Sequence, residues 1–347
     1  MSVSVERAIG RTHGDLRRTG PIGSAHSPRQ PVAAVAESLS LQPPTPGHAT
    51  LPGLTAIQAA IVAAAAYADV FDAALAPDAF LPSMSISATS DEVDRVLREP
   101  SPLQRVISIR DGRVTLAGRE HLVAVSLRRA AASARLWPVA LRYAGLIATL
   151  PFVRMVAVSG SLAVDNAEDG SDIDFMVVTE DGRLWLTRAL AIGVVRAAAT
   201  RGVQLCPNYF LAESALEIHD RSIYTAHELA QLVPVSGQAT YEELLRRNAW
   251  YRAFLPNHPG SQLRPAPPVG RPALVLRDLS TPALRVPPVD RIERWEMRRK
   301  IRRLRALAPS AEAQYSVACC KGHVDDHGRG TIAAFEARLA RLREVLA

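Results

Sequence analysis

Two short groups of residues near the middle of the chain have the types and spacing to do phosphate chemistry. The Gly160–Ser161 step follows one apolar run, Met155–Val158, and Asp172 and Asp174 stand at the start of another, Ile173–Val178. Both runs predict β-strands, and because side chains alternate along a strand, the two aspartates should project from one face. Neighbouring carboxylates repel unless a cation lies between them. The pattern therefore predicts a site for a hard divalent cation, Mg²⁺ or Mn²⁺.

The Gly-Ser step adds groups that can hold phosphate. Gly160 lets the backbone approach a ligand closely, and its N–H groups can bind phosphate oxygens together with the hydroxyl of Ser161, especially where a helix begins. Ser171, just before Asp172, is a further candidate phosphate ligand. Phosphates held by this step and metal ions held by the aspartates would converge on one point. That arrangement suits phosphoryl or nucleotidyl transfer.

This combination resembles the DNA polymerase β-like nucleotidyltransferase superfamily. The signature of that superfamily is Gly-Ser followed, about ten residues on, by Ser-Asp-x-Asp in an apolar strand, and here ten residues separate Ser161 from Asp172. The segments 224–231, 248–257 and 320–328 resemble parts of bacterial nucleotidyltransferase-domain proteins. The likeness thus covers about residues 55–347.

The resemblance implies a reaction and a set of roles. The reaction is metal-dependent transfer of a nucleoside monophosphate from a nucleoside triphosphate, such as ATP, to an acceptor hydroxyl, with release of pyrophosphate. Asp172 and Asp174 would be catalytic and would hold a pair of Mg²⁺ or Mn²⁺ ions. The acceptor is left open: a small molecule, a protein hydroxyl and an RNA end all fit.

One expected group is missing from the sequence. Catalytic members of the superfamily place a third carboxylate on a neighbouring strand, but the matching segment, Gln204–Leu211, contains no acid. Asn208 takes that position and would line the metal site through its amide, while Glu213, Glu228 or an acid near the C-terminus are alternative sources of a carboxylate. The missing acid leaves open a second function, that of a catalytically weak nucleotide-sensing or nucleic-acid-binding regulatory protein.

Two further groups are candidate accessory residues. His227 and Glu228 are adjacent in a helix-like stretch and are either a base and a substrate contact or ordinary packed residues. Lys321 is a compact point charge suited to a triphosphate. His323 and Asp325, which follow it, are either further site residues or transition-metal ligands. The alternative for the whole segment is a turn that caps the last helix.

The order of elements predicts an α+β (α/β) fold. A nucleotidyltransferase palm with a small mixed β-sheet is preceded by a winged-helix-like module and followed by a helical C-terminal region. The predicted divisions are a disordered leader (1–50), the winged-helix-like module (54–123), the nucleotidyltransferase domain (124–258), an extended Pro-rich connector (259–289) and the helical C-terminal region (290–347).

The winged-helix-like module is predicted from three helices and a hairpin. The helices cover Thr55–Phe71, Pro77–Leu81 and Asp91–Glu99, and the strand pattern turns at Asp111–Gly112, a pair typical of a type I′ hairpin. Such a module either binds nucleic acid or packs against another protein surface.

Composition limits the other classes of function. The 347 residues are 48% apolar and 22% charged, as in globular proteins, and carry a net charge of +7. Only two of the 41 basic residues are lysines, so the arginine excess indicates GC-rich coding as much as nucleic-acid binding. The basic helix predicted at 290–307 is either a nucleic-acid or membrane-surface face or a solvated face.

Cysteine usage and hydropathy indicate the compartment. There are three cysteines, and two of them are adjacent, which is poor geometry for a disulfide. No apolar segment reaches the length that a membrane span needs, and no secretory signal is visible. We expect a cytoplasmic protein without a membrane partner.

Overall fold

The computed structural model describes residues 51–307, 314–322 and 327–347, which form a mixed α+β fold with eleven α-helices and a small mixed sheet. The helices are α1 (Ala56–Val70), α2 (Pro77–Phe80), α3 (Ser90–Arg98), α4 (His121–Ala148), α5 (Gly160–Ala163), α6 (Leu184–Ala199), α7 (Ile223–Ala230), α8 (Gln238–Arg247), α9 (Arg271–Ala283), α10 (Pro287–Leu307) and α11 (His327–Leu346). The strands are β1 (Ile107–Arg110), β2 (Arg113–Leu116), β3 (Val153–Ser159), β4 (Ile173–Thr179), β5 (Leu205–Ala212), β6 (Val233–Ser236), β7 (Gln314–Tyr315) and β8 (Cys319–Lys321). The predicted leader lies outside the described residues.

The first three helices and the hairpin form where local sequence favours them. Thr55 and Thr89 each cap a helix with a reciprocal capping box, at the starts of α1 and α3. Strands β1 and β2 pair antiparallel around Asp111 and Gly112, which both have positive φ angles (51° and 72°), as a type I′ turn requires. The three helices and the hairpin predicted for this module are therefore present.

The main sheet is mixed and has helices on both faces. Its strand order is β6-β3-β4-β5-β8-β7, with β3 antiparallel to β4 and β4 parallel to β5. Alternate residues of β4 enter two different cores: Phe175 and Val177 pack with residues of α4 and α6, whereas Met176 and Val178 pack with residues of α7 and α8. Asp174 precedes Phe175 by one position, so it faces the α7 side.

The Pro-rich connector is partly helical. An extended conformation was expected from its eight prolines between residues 259 and 288, but α9 occupies thirteen of those positions. Pro272 lies in the first turn of α9, where a proline without an N–H is well accommodated. Proline content therefore gave the wrong local structure here.

The C-terminal helical region divides between two neighbours. Helix α10 packs on α6, and its Glu293 carboxylate accepts the N–H groups of Trp185 and Leu186 (2.8 and 2.6 Å), which caps the N-terminus of α6. Helix α11 instead packs on α1, and its leucines enter the N-terminal core. None of the described helices is long and apolar enough to cross a bilayer.

A buried ion cluster fixes α11 against α1. The side chain of Asp69 accepts from Arg119 Nε at 2.7 Å and from Arg338 Nε at 2.6 Å. Both arginines hold the pKa of Asp69 below its usual range against the effect of burial. This contact joins residues 269 positions apart, and no local sequence pattern predicts it.

Candidate functional site

The Gly-Ser step lies beside Asp174 at the point where β3 ends and β4 begins. Ser159 stands opposite Asp174 in the antiparallel register of β3 and β4. Gly160 follows with φ = +65°, and a methyl group added there would overlap the carboxylate of Asp174. Glycine is needed at this position both for the positive φ and for the close approach. Ser161 is the next residue, in the first turn of α5.

The loop between Ser161 and Asp172 is held on α4. Trp137 Nε1 donates to Asp165 Oδ1 at 2.9 Å, and the N–H of Ala167 donates to Ser133 Oγ at 3.1 Å. Arg129 adds an ion pair with an exposed acid of the loop at 2.7 Å. These contacts fix the distance between the two groups of site residues.

Ser171 is engaged within that loop. Its Oγ accepts the N–H of Glu168 at 3.0 Å, and its own N–H donates to the carbonyl of Glu168 at 3.1 Å. The hydroxyl predicted to seat a phosphate therefore stabilises the turn that leads into Asp172.

Three side chains form a group with metal-ligand spacing. Ligand atoms of Asp172, Asp174 and Cys206 all lie within 4.8 Å of one another. Withdrawal from solvent raises the pKa of Asp174 well above its usual range, and the charges of Asp172 and Glu228 raise it further. The Cys206 thiol opposes this by hydrogen bonding to the carboxylate. A divalent cation would relieve the same repulsion.

The donor set fits Mg²⁺ or Mn²⁺ in part. The two carboxylates are the hard oxygen ligands that these ions take, whereas the sulfur of Cys206 is a soft ligand that they disfavour. Asn208, predicted to line the metal site, donates from Nδ2 to Asp174 Oδ1 at 3.0 Å. In this arrangement the amide nitrogen of Asn208 faces the Asp174 carboxylate.

Sequence reasoning missed Cys206 although a signal for it was present. Cys206 pairs with Asp174 in the parallel register of β4 and β5, and it stands two positions before Asn208 on the same strand. The two-residue period that placed the aspartates on one face therefore also places Cys206 beside Asn208.

Glu228 and Lys321 come to the same side of the sheet from distant parts of the chain. Lys321 on β8 pairs with Tyr209 on β5, and its Nζ lies 5.6 Å from the centre of the Tyr209 ring. Burial raises the pKa of Glu228, and the nearby charge of Lys321 opposes that rise. Both residues line a small cavity of about 20 Å³ together with Ser159 and Asn208. The predicted phosphate ligand Lys321 thus lies close to the predicted metal site.

His227 faces a second, larger cavity. Its ring stacks on Tyr67 with the centroids 3.9 Å apart, and its Nδ1 lies 3.2 Å from Nε2 of Gln231. Burial lowers the pKa of His227 to about 3, with a further contribution from His258, so the imidazole is neutral near pH 7. His323 and Asp325 lie outside the described residues.

We name this larger space the α1–α7 cavity. It has a volume of about 580 Å³ and lies between α1, the start of α5, and α7. Gly160, Ser161 and Glu228 form part of its wall, so it adjoins the carboxylate site. The residues of its wall lie far apart in the sequence, and no local pattern identifies the cavity.

The basic helix α10 is polarised between its two sides. Glu293 and Glu296 are buried, whereas Arg291, Arg294 and Arg298 are exposed. The acids therefore serve the fold, and the arginines form a solvated face. Nucleic-acid binding by this face stays a prediction, which a salt-dependent loss of RNA or DNA binding would test.

Comparison with known proteins adds no further constraint. No family model, curated protein or solved structure matches this chain. Any functional conclusion depends on the geometry of the site itself.

Proposed function

We propose that this protein is a metal-dependent nucleotidyltransferase that moves a nucleoside monophosphate from a nucleoside triphosphate to an acceptor hydroxyl. The observation that carries the proposal is the contact between Gly160 and the Asp174 carboxylate. This close approach puts the backbone of the Gly-Ser step directly against the second aspartate of the Asp-x-Asp pair. The groups proposed to bind phosphate and metal are thus adjacent, as nucleotidyl transfer needs.

The proposed reaction assigns separate roles to the aspartates and to the Gly-Ser step. Asp172 and Asp174 would hold the metal ions, which would neutralise charge on the triphosphate and activate the acceptor hydroxyl. The Gly160 and Ser161 backbone and the Ser161 hydroxyl would hold phosphate oxygens. The hydroxyl oxygen forms a bond to the α-phosphorus, the bond to the pyrophosphate oxygen breaks, and the hydroxyl proton passes to water.

The position of Lys321 supports the proposed triphosphate site. Lys321 is one of only two lysines in the sequence. Its side chain lines the small cavity on the α7 face of the sheet together with Glu228 and Asn208. A point charge in that place would bind the phosphates of the triphosphate. Glu228, on the same face, is the described acid that best replaces the third carboxylate absent from β5, because its charge acts directly on Asp174.

Calorimetry with ATP, GTP, CTP and UTP tests the proposal. Each triphosphate is titrated with and without Mg²⁺ or Mn²⁺ into the wild-type chain and into the Asp172→Asn/Asp174→Asn double variant. Asp169→Asn is the matched control, because Asp169 lies in the same loop but is exposed and pairs with Arg135. We expect metal-dependent binding that only the double variant abolishes.

Two outcomes separate the alternatives. Metal-dependent binding without pyrophosphate release in a broad acceptor screen would favour the nucleotide-sensing protein that the missing acid of β5 also allows. No binding of any triphosphate would overturn both the transferase and the nucleotide sensor, and would leave the nucleic-acid-binding regulatory protein as the alternative.

A further inference from the structure

We propose that the α1–α7 cavity binds the acceptor, and that the acceptor is an uncharged, hydroxyl-bearing ring compound of about nucleoside size. This inference rests on the function proposed above and adds the acceptor class to it. It would exclude a nucleic-acid end as the acceptor.

The position of the cavity makes it suitable for an acceptor. Gly160 and Ser161 lie in its wall, and these are the residues proposed to hold the triphosphate. Glu228 lies in the walls of both this cavity and the small cavity beside Asn208 and Lys321. A molecule in the α1–α7 cavity would therefore lie next to the phosphate and metal groups without displacing them.

The lining of the cavity includes aromatic rings and neutral amides. Tyr67, Phe71 and Tyr224 supply rings, and Asn166 and Gln231 supply amides that can hydrogen-bond to neutral groups. Aromatic faces of this kind stack on flat rings.

The charged groups of the wall are three acids, Asp78, Asp165 and Glu228, and one arginine, and both Asp78 and Asp165 are exposed to solvent. The two imidazoles are neutral near pH 7, because burial lowers the pKa of His227 to about 3 and that of His258 to about 4. Among the described wall residues there is a single arginine, Arg113, and no lysine. Binding of a nucleic-acid end depends on several cations placed against phosphates, so this wall disfavours it.

The volume fits a small molecule. About 580 Å³ is within the range of about 300–1,000 Å³ that small-molecule sites occupy. A nucleoside combines a flat ring, neutral hydrogen-bonding groups and free hydroxyls, so nucleosides are suitable probes.

The test measures binding of adenosine, guanosine, cytidine and uridine by saturation-transfer NMR. Each probe is added to the metal-free protein, and then to protein saturated with Mg²⁺ and a non-hydrolysable ATP analogue. We expect at least one nucleoside to bind without metal and to remain bound beside the analogue.

Matched leucine variants locate the bound probe. Ala130 lies on α4 in the cavity wall, and the next residue, Ala131, is exposed and outside the wall. We expect Ala130→Leu to weaken nucleoside binding at least tenfold and Ala131→Leu to leave it unchanged. Ala79→Leu, at an exposed position of the wall, should also weaken binding and covers the case in which Ala130→Leu does not fold.

Three results would overturn the proposal. Displacement of the nucleoside by the ATP analogue would show that the cavity takes the base of the triphosphate. Binding of a single-stranded oligonucleotide that Ala130→Leu blocks would show a nucleic-acid acceptor. Failure of all four nucleosides to bind would remove the acceptor class, while the calorimetry described above would still report on the triphosphate site independently.

Discussion

Glu228 lies between two regions that differ in their electrostatics. On the sheet side, ligand atoms of Asp172, Asp174 and Cys206 lie within 4.8 Å of one another, and withdrawal from solvent together with the charges of Asp172 and Glu228 raises the pKa of Asp174. On the other side, the α1–α7 cavity is lined by aromatic rings and neutral imidazoles. The proposed metal ion would offset the repulsion in the first region, whereas the second has a single arginine and no lysine among its described wall residues and would not favour phosphates. This difference fits a reaction whose charged donor and neutral acceptor are held on adjoining surfaces that share Gly160 and Ser161.

The largest effect that would break this comparison is expected from Gly160→Ala. The added methyl group would displace the Asp174 carboxylate, so we expect metal-dependent triphosphate affinity to fall about 10- to 100-fold, the scale of disturbed metal support. Gly170→Ala is the control: Gly170 also has a positive φ (+81°) but has open space around it. Both variants should lose about 1–2 kcal/mol of stability from the strained backbone, but only Gly160→Ala should lose affinity in calorimetry. Equal triphosphate affinities of Gly160→Ala and Gly170→Ala would show that the Gly-Ser step is not part of the metal-dependent site.

Lys321→Ala tests whether the charged region extends to β8. Loss of a charged hydrogen bond should weaken triphosphate affinity by about 1–3 kcal/mol. Lys300→Ala on α10 is the matched control, because it removes the other lysine of the chain. Unchanged affinity in Lys321→Ala would confine the site to β3, β4 and β5.

The neutral region is tested by the pH dependence of stability. The folded-state pKa of His227, about 3, lies below its unfolded value, so the unfolded chain binds more protons between these values. Stability should therefore fall as pH decreases from about 6.5 towards 3, by about 2 kcal/mol for this residue between pH 7 and pH 5. Denaturant unfolding of His227→Gln should show a smaller fall than the wild type, and His219→Gln, at an exposed position, should not differ from it. If the wild type, His227→Gln and His219→Gln showed the same change of stability with pH, the His227 imidazole would become charged in the folded protein and the account of a neutral cavity would be wrong.

The smallest effect is expected from Ser171→Ala. The hydroxyl accepts the Glu168 N–H, so its removal should cost about 1 kcal/mol of stability and leave triphosphate affinity nearly unchanged. If Ser171→Ala lost more free energy of triphosphate binding than of unfolding, Ser171 would be a phosphate ligand as the sequence predicted.

The two regions also differ in how far the sequence predicted them. Gly160, Ser161, Asp172 and Asp174 lie within fifteen residues, so strand periodicity and spacing were enough to place them together. The α1–α7 cavity brings Tyr67 against His227, 160 positions later, through tertiary packing that no local period encodes. The prediction of an extended connector at 259–289 was wrong for a related reason. Composition does not say whether a proline falls in the first turn of a helix, as Pro272 does in α9.

Mn²⁺ binding tests the central claim most directly. Free Mn²⁺ is counted by its electron paramagnetic resonance signal, with and without a non-hydrolysable ATP analogue, for the wild type, Asp172→Asn and Asp174→Asn. We predict that the analogue tightens Mn²⁺ binding to the wild type and that either substitution removes this tightening. Equal Mn²⁺ binding in all three proteins would contradict the account, because the two carboxylates would then not be the metal site.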